Sequence, residues 1–274
     1  MADIYWKGDD SSSPTDWNTA ANWSGGAVPT ASDNVRLVAA YSNNLAGFNA
    51  SGTALADFVV EKGFSGQIGS ETANLQVSCT YFEYSGEGDS YIDLGSTSVD
   101  PRILATAPAP GPGEYGLYLI GTGFSVLSME GGSLGLAAIH GQASTVTTIR
   151  QLGGELKVGS AAAVTTLSSY GGSAKVSCNL TNLNVYDGQV TTAEQMTITT
   201  VTLEDGTVVG NSSGTITTAT VHGGELDLSQ TGLSRTVTTL NLNPGGAVKY
   251  DPGSVPLSTI SEADAPISIS TSRI

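Results

Sequence analysis

Histidine is nearly missing from this chain: His140 and His222 are the only two in 274 residues. They are far apart in sequence and stand at no ligand spacing to each other or to the two cysteines, Cys79 and Cys178, which argues against a zinc site and against a Ser-His-Asp triad. Each cysteine sits in a strand-like run and reads as a small buried hydrophobe, unbridged. Cationic residues are scarce too. Ten Lys plus Arg face 25 Asp plus Glu, a net charge of −15, so a phosphate backbone or an anionic bilayer repels the chain on average. Neither nucleic acid nor membrane is expected as a partner. No apolar run approaches the length of a membrane span. The opening Met1-Ala2-Asp3-Ile4-Tyr5-Trp6-Lys7 has no basic or apolar signal region, so the chain reads as made in the cytosol and not exported by a standard signal. There is no P-loop, dinucleotide glycine fingerprint or calcium-binding nonapeptide, so no cofactor or metal is expected.

What the chain has is glycine, threonine and a period. One phrase returns through 124–250: Val146-Thr147-Thr148-Ile149 before Gly153-Gly154, Val164-Thr165-Thr166-Leu167 before Gly171-Gly172, and Leu180-Thr181-Asn182-Leu183 before Asp187-Gly188. It continues as Ile198-Thr199-Thr200-Val201 before Asp205-Gly206, Ile216-Thr217-Thr218-Ala219 before Gly223-Gly224, and Val237-Thr238-Thr239-Leu240 before Gly245-Gly246. The threonines recur at spacings of 18, 16, 18, 18 and 21 residues, too short for a two-helix repeat and suited to one β-solenoid turn.

Apolar and polar residues alternate on either side of each glycine, which puts one set inward and the other in solvent. The glycines mark the corner, because Gly tolerates a positive φ and Asp bonds its own backbone. Gly153, Gly154, Gly171, Gly172, Gly188, Gly206, Gly223 and Gly224 are the corner positions. The expected fold is all-β, a single-stranded β-solenoid, with a right-handed parallel β-helix as the preferred form. The stretches between corner and next threonine, such as 161–163, 194–196, 211–214 and 230–235, vary and are expected as loops on one face.

Four segments follow. Residues 1–37 hold Trp6, Trp17, Trp23 and Pro29 and read as an N-terminal cap that closes the apolar end of the solenoid; the same residues are the first candidates for contact with a partner, or for stacking on a sugar. Residues 38–123 read as irregular early coils carrying a loop, 105–113, whose Pro108, Pro110 and Pro112 cannot pair in a central strand and form a second candidate contact. Residues 124–255 are the regular coils. Residues 256–274 are a polar tail, either a cap on the last coil or a strand that adds to a neighbouring subunit's sheet.

Two carboxylate clusters were candidates for glycosidic cleavage, Glu83, Glu87, Asp89 and Asp93, and Glu204, Asp205, Glu225 and Asp227. In a chain this acidic such clusters arise readily as solvated surface groups. Lys157 and Lys175 fall in the same slot of adjacent coils and should stack as a surface stripe. No catalytic residue is expected, and the chain reads as non-enzymatic.

The leading Trp, Asn-Trp, Gly, Pro and Asp-x-Val-x-Leu phrase of 6–37, with the Thr-Thr and Gly-Gly coils that close at 244–253, resembles β-helix repeat proteins of bacteriophages and bacterial surfaces. The resemblance covers most of the chain and is specific for architecture. It implies a virion component: a capsid decoration (cement) protein bound to the major capsid or another virion protein, made in the host cytoplasm and located on the particle. Geometry permits a homotrimer. The alternatives are a tail spike or fibre-like protein that binds or cleaves surface carbohydrate, and a bacterial surface adhesin.

Overall fold

The structure is a computed structural model that describes residues 3–46, 54–96, 98–106, 114–138, 142–230, 232–233, 235–250, 257–262 and 268–270. It divides into two compact units, Met1–Val146 and Thr147–Ile274. The division falls inside the repeat region, not at its start. Both units are parallel β-solenoids, with about nine turns in all.

The first unit contains β1 (Asp3–Tyr5), β2 (Asn34–Leu37), β3 (Leu55–Val60), β4 (Leu75–Gln76), β5 (Cys79–Tyr84), β6 (Ser90–Ser96), β7 (Arg102–Ile103), β8 (Leu117–Thr122), β9 (Phe124–Met129) and β10 (Ser133–Leu136). One parallel column runs β1, β2, β3, β5, β7, β9. The other runs β4, β6, β8, β10. The core follows from alternation: Val35 and Leu37 of β2 point in, as do Ile92 and Leu94 of β6, while Arg36 and Asp93 are partly exposed between them.

The tryptophans explain how the first coil is closed. Trp6 and Trp23 meet edge to face at 4.9 Å, Trp17 and Trp23 at 4.7 Å, and Trp17 reaches Phe58 of β3 at 6.2 Å. All three indoles are buried. Residues 22–24 run antiparallel along the outer edge of β1, where Ser24 N donates to Tyr5 O at 2.9 Å and Tyr5 N to Ser24 Oγ at 2.9 Å. From Tyr5 to Lys7 this edge is already taken up within the chain. Asn22, also buried, holds the preceding loop: its amide donates to Ser13 O and Asp16 O at 2.7 and 3.0 Å, and its carbonyl accepts from Asp10 N at 2.8 Å. The segment thus lays its indole cluster against Phe58 and its residues 22–24 against β1.

The second unit contains β11 (Ser144–Gln151, entering at Thr147), β12 (Glu155–Val158), β13 (Ala162–Val176), β14 (Leu180–Glu194), β15 (Ile198–Leu203), β16 (Thr207–Ser212), β17 (Thr215–Val221), β18 (Gly224–Leu228), β19 (Thr236–Leu242), β20 (Gly246–Tyr250), β21 (Leu257–Glu262) and β22 (Ser268–Ser270). β13 and β14 are long because they run through the corner. Their pairing shifts register there, between Ser169 and Ser173.

The threonine register is as the period required: Thr166, Asn182, Thr200, Thr218, Thr239 and Thr259 are successive partners. Asn182 Nδ2 donates to Thr166 Oγ1 at 3.3 Å in this column, and Asn241 Nδ2 to Thr220 Oγ1 at 3.3 Å in the column two residues on, so adjacent coils are bonded through side chains as well as stacked. In the tail, β22 lies beside β20 of the same chain, with Val248 facing Ile269, and β21 lies beside β19. The pairing of the tail is thus within the chain, as a further coil.

Two expectations about the variable stretches are corrected. Met196 and Arg235, placed in outward loops by their irregular spacing, are buried. The stretches that vary in length still supply side chains to the interior, because a coil that lengthens must fill the space it opens.

Candidate functional site

The corner determines what the second unit shows to solvent. Gly154, Gly172, Gly188, Gly206 and Gly224 all have positive φ, from 68° to 85°. They stack so closely that a Cβ on Gly172 would lie 2.3 Å from Gly154 O, and one on Gly206 2.4 Å from Gly188 O. Where the first corner residue is aspartate, its carboxylate closes the turn: Asp187 Oδ1 accepts Gly188 N at 2.6 Å and Asp205 Oδ1 accepts Gly206 N at 2.7 Å. Gly153, Gly171 and Gly223 complete the corner on its approach side, and a Cβ on Gly223 would meet Glu204 O at 2.4 Å.

The residue immediately before each corner points outward. Read from coil to coil that slot holds Leu152, Tyr170, Tyr186, Glu204 and His222; the last coil has one residue more, with Asn243 beside His222 and Pro244 directly before its glycines. Leu152 is 51% exposed, Tyr170 and Tyr186 43% each. The two tyrosine rings are coplanar within 4° and 4.6 Å apart. Beyond them the column turns polar: His222 Nε2 is 3.9 Å from Glu204 Oε1, and its Nδ1 is 2.7 Å from Asn243 Nδ2. His222 is outward, as its place before the corner required. The apolar half of this column escaped the sequence reading. Its signal was available, in the slot before each glycine pair, but it appears only when repeats are read vertically.

Past the corner, the outer face of β12, β13, β14 and β16 forms a groove of about 340 Å³ lined by Glu155, Ser173, Lys175, Gln189, Thr191 and Asn211, among others. Lys157 and Lys175 are register partners, as their common slot implied. Leu156, Ala174 and Ala193 also line it, so its surface is more apolar than polar, with Glu155 and Lys175 giving it both signs of charge.

Several members of the carboxylate clusters have local partners. Glu225 is engaged by Lys249 Nζ at 2.7 Å, Asp227 Oδ1 accepts from Ser229 N and Oγ at 2.9 and 2.6 Å, and Asp205 closes its corner. In the first unit Glu83 accepts from Tyr81 Oη at 2.5 Å and lies 3.5 Å from Arg102, and Asp93 Oδ1 accepts Gly95 N at 2.8 Å. Each is occupied in a local turn or ion pair. Among the described residues no group of three or more His, Cys, Asp or Glu is placed to hold a metal ion, and no helix is long and apolar enough to cross a membrane.

Of the residues singled out for partner contact, Trp6, Trp17, Trp23 and Pro29 are buried. Trp6 Nε1 donates to Asn43 O at 3.0 Å and Trp23 Nε1 to Trp17 O at 2.7 Å. Their ring faces are spent on one another, which corrects their assignment as a contact or sugar-stacking surface. Pro108, Pro110 and Pro112 lie outside the described residues, as does His140.

Arg235 is the unexpected charge. Buried in the second unit, it donates from its guanidinium to Gly210 O and, at 3.0 Å, to Gln230 O, while Nε has no partner among the described residues. Burial lowers its pKa from the usual guanidinium value, against the opposing field of Asp227. It acts as a strut that ties the 230–235 stretch to the end of β16. Comparison with protein-family models, with curated proteins and with solved structures finds no match to this chain.

Proposed function

We propose that this chain is a non-enzymatic structural protein of a bacteriophage particle, a decoration protein that binds the shell. The single observation that supports it most is the state of the acids in the second cluster: they have partners in turns and ion pairs, in particular Glu225 with Lys249 and Asp227 with Ser229. What is left is a bonded, self-capped scaffold with an acidic surface. The likeness of its Trp-led start and Thr-Thr, Gly-Gly coils to phage repeat proteins supplies the particle. The test is the copy number of this chain in purified particles, by quantitative mass spectrometry. A ratio near that of the shell subunit agrees with decoration, a trace ratio favours a tail position, and absence overturns the reading.

A second reading is favoured by the groove on β12 to β16. Lys175, Gln189, Thr191 and Asn211 offer donors and acceptors at the coil spacing of about 4.8 Å, suited to a linear glycan as on a tail spike or fibre. A glycan array read with the whole chain tests it: retention that Lys175→Ala and Gln189→Ala both abolish would favour this reading over the first.

A further inference from the structure

We propose that the ridge formed by Leu152, Tyr170 and Tyr186 is the surface by which the chain docks on its shell, seated in an apolar groove with a basic rim on the shell protein. The inference rests on the decoration reading and names its contact. Five large apolar side chains are exposed among the described residues, and three of them stand in this one slot of successive coils. The other two, Tyr41 and Tyr81, belong to the first unit and to different elements. Single exposed apolar residues need no explanation, whereas a contiguous set marks an interaction site.

The fold explains the form of the ridge. The slot lies on the outward side of the coil, directly before the close-packed glycine corner, and its side chains project into solvent. The same slot carries Glu204 and His222 in later coils, so nothing in the corner geometry itself demands an apolar residue. Stacking at 4.6 Å uses one face of each tyrosine ring and restricts its rotation. The pair therefore presents hydroxyl-bearing edges in a fixed line. This arrangement suits insertion into a protein groove, where a rigid amphipathic anchor loses little entropy on binding.

Charge selects the occupant. Glu155, Asp187 and Glu204 are exposed within the ridge slot or a few residues of it, against Arg150 before it and Lys157 and Lys175 further along β12 and β13, on a chain of net charge −15. A complementary rim is basic. A second copy of the chain carries the same acids, and three half-exposed side chains offer only about 300 Å², against roughly 800 Å² per partner in a stable dimer. The ridge is an anchor within a larger contact with a different protein.

The experiment is co-sedimentation of the whole chain with undecorated shells of the phage that encodes it. The variants are Leu152→Ser/Tyr170→Ser/Tyr186→Ser and, as control, Tyr41→Ser, each checked by circular dichroism. The triple variant is expected to lose at least about 30-fold in affinity, as for a hot-spot cluster, with Tyr41→Ser unchanged. Raising salt from 0.1 to 0.5 M should weaken the wild-type complex. If the triple variant misfolds, hydroxyl-radical footprinting of the wild-type chain replaces it, with Tyr170 and Tyr186 expected to be protected on the shell. Wild-type binding that the triple variant retains, or tyrosines that stay reactive in the complex, overturns the ridge alone. Salt-independent binding overturns the basic rim, and ridge-dependent self-association in sedimentation velocity overturns the foreign partner. A wild-type chain that never binds shells overturns the decoration reading and this contact with it.

Discussion

Gly172 and Gly154 share a corner so tight that the carbonyl oxygen of one occupies the place where a side chain of the other would begin, 2.3 Å from an added Cβ. The same carbonyl accepts the N–H of Ser173 at 2.9 Å, so the coils are bonded at the point of closest approach. Gly172→Ala meets two costs, a φ of 79° and that clash. Together they come to about 2–4 kcal/mol. Gly25, around which no atom would meet a Cβ, is the contrast. A thermal melt should show a clear fall for Gly172→Ala and almost none for Gly25→Ala, and equal melts would refute the steric account.

Asn22 holds the loop of residues 10–16 within the leading segment through three hydrogen bonds made in a buried site. Asn22→Leu keeps the approximate volume but strands Ser13 O, Asp16 O and Asp10 N. The expected loss is about 2–4 kcal/mol, read as a lower melting temperature. Limited proteolysis should then cut first within residues 8–24. Cleavage elsewhere first would show that the cap does not depend on this side chain.

Burial pushes the Cys79 thiol up to about 12, with the field of Asp57 adding to it, and the Cys178 thiol up to about 11. Both are free and buried. At pH 8 the folded chain should leave a thiol reagent unreacted, and two equivalents should react in denaturant. The linkage has a definite sign. Above the unfolded thiol value near 8.5, the unfolded chain releases protons that the folded one keeps, so stability is full below that pH and declines as pH rises toward 11–12. Cys79→Ala should flatten that decline, and an unchanged pH profile would count against the burial.

Arg235 tests whether a buried cation is tolerated for its bonds or for its bulk. Arg235→Ala leaves Gly210 O and Gln230 O unpaired and opens a void, at a cost of about 2–5 kcal/mol. Arg235→Met fills most of the volume and removes the charge. It should recover at least half of that loss in the same melts, and a Met variant as unstable as the Ala variant would mean that the bonds dominate.

For hydrolysis the expectation is plain. The whole chain should release no reducing ends from acidic or neutral polysaccharides between pH 4 and 8. Turnover that disappears in Glu225→Gln/Asp227→Asn would overturn the non-enzymatic reading.

The period by itself determined the architecture. Thr-Thr ladders, inward Val and Leu, and corner glycines repeat at one-coil spacing, and a chain that repeats a strand pattern with a sharp turn stacks on itself because each coil exposes the edge that the next one needs. The corner chemistry, the outward His222 and the pairing of Lys157 with Lys175 were all legible for that reason. What only the tertiary structure decided was the fate of residues outside the repeat rule. Trp6, Trp17 and Trp23 turned inward because an end coil must cover its apolar interior, and three rings that pack edge to face do so better than a surface can use them. Arg235 was drawn inside because the longer coil before it left space that its chain could fill and carbonyls that its guanidinium could bind. The ridge of Leu152, Tyr170 and Tyr186 exists only once coils are stacked: in sequence its members are 16 or 18 residues apart, and Tyr170 and Tyr186 become ring neighbours across a register shift, where Tyr170 pairs with Asp187.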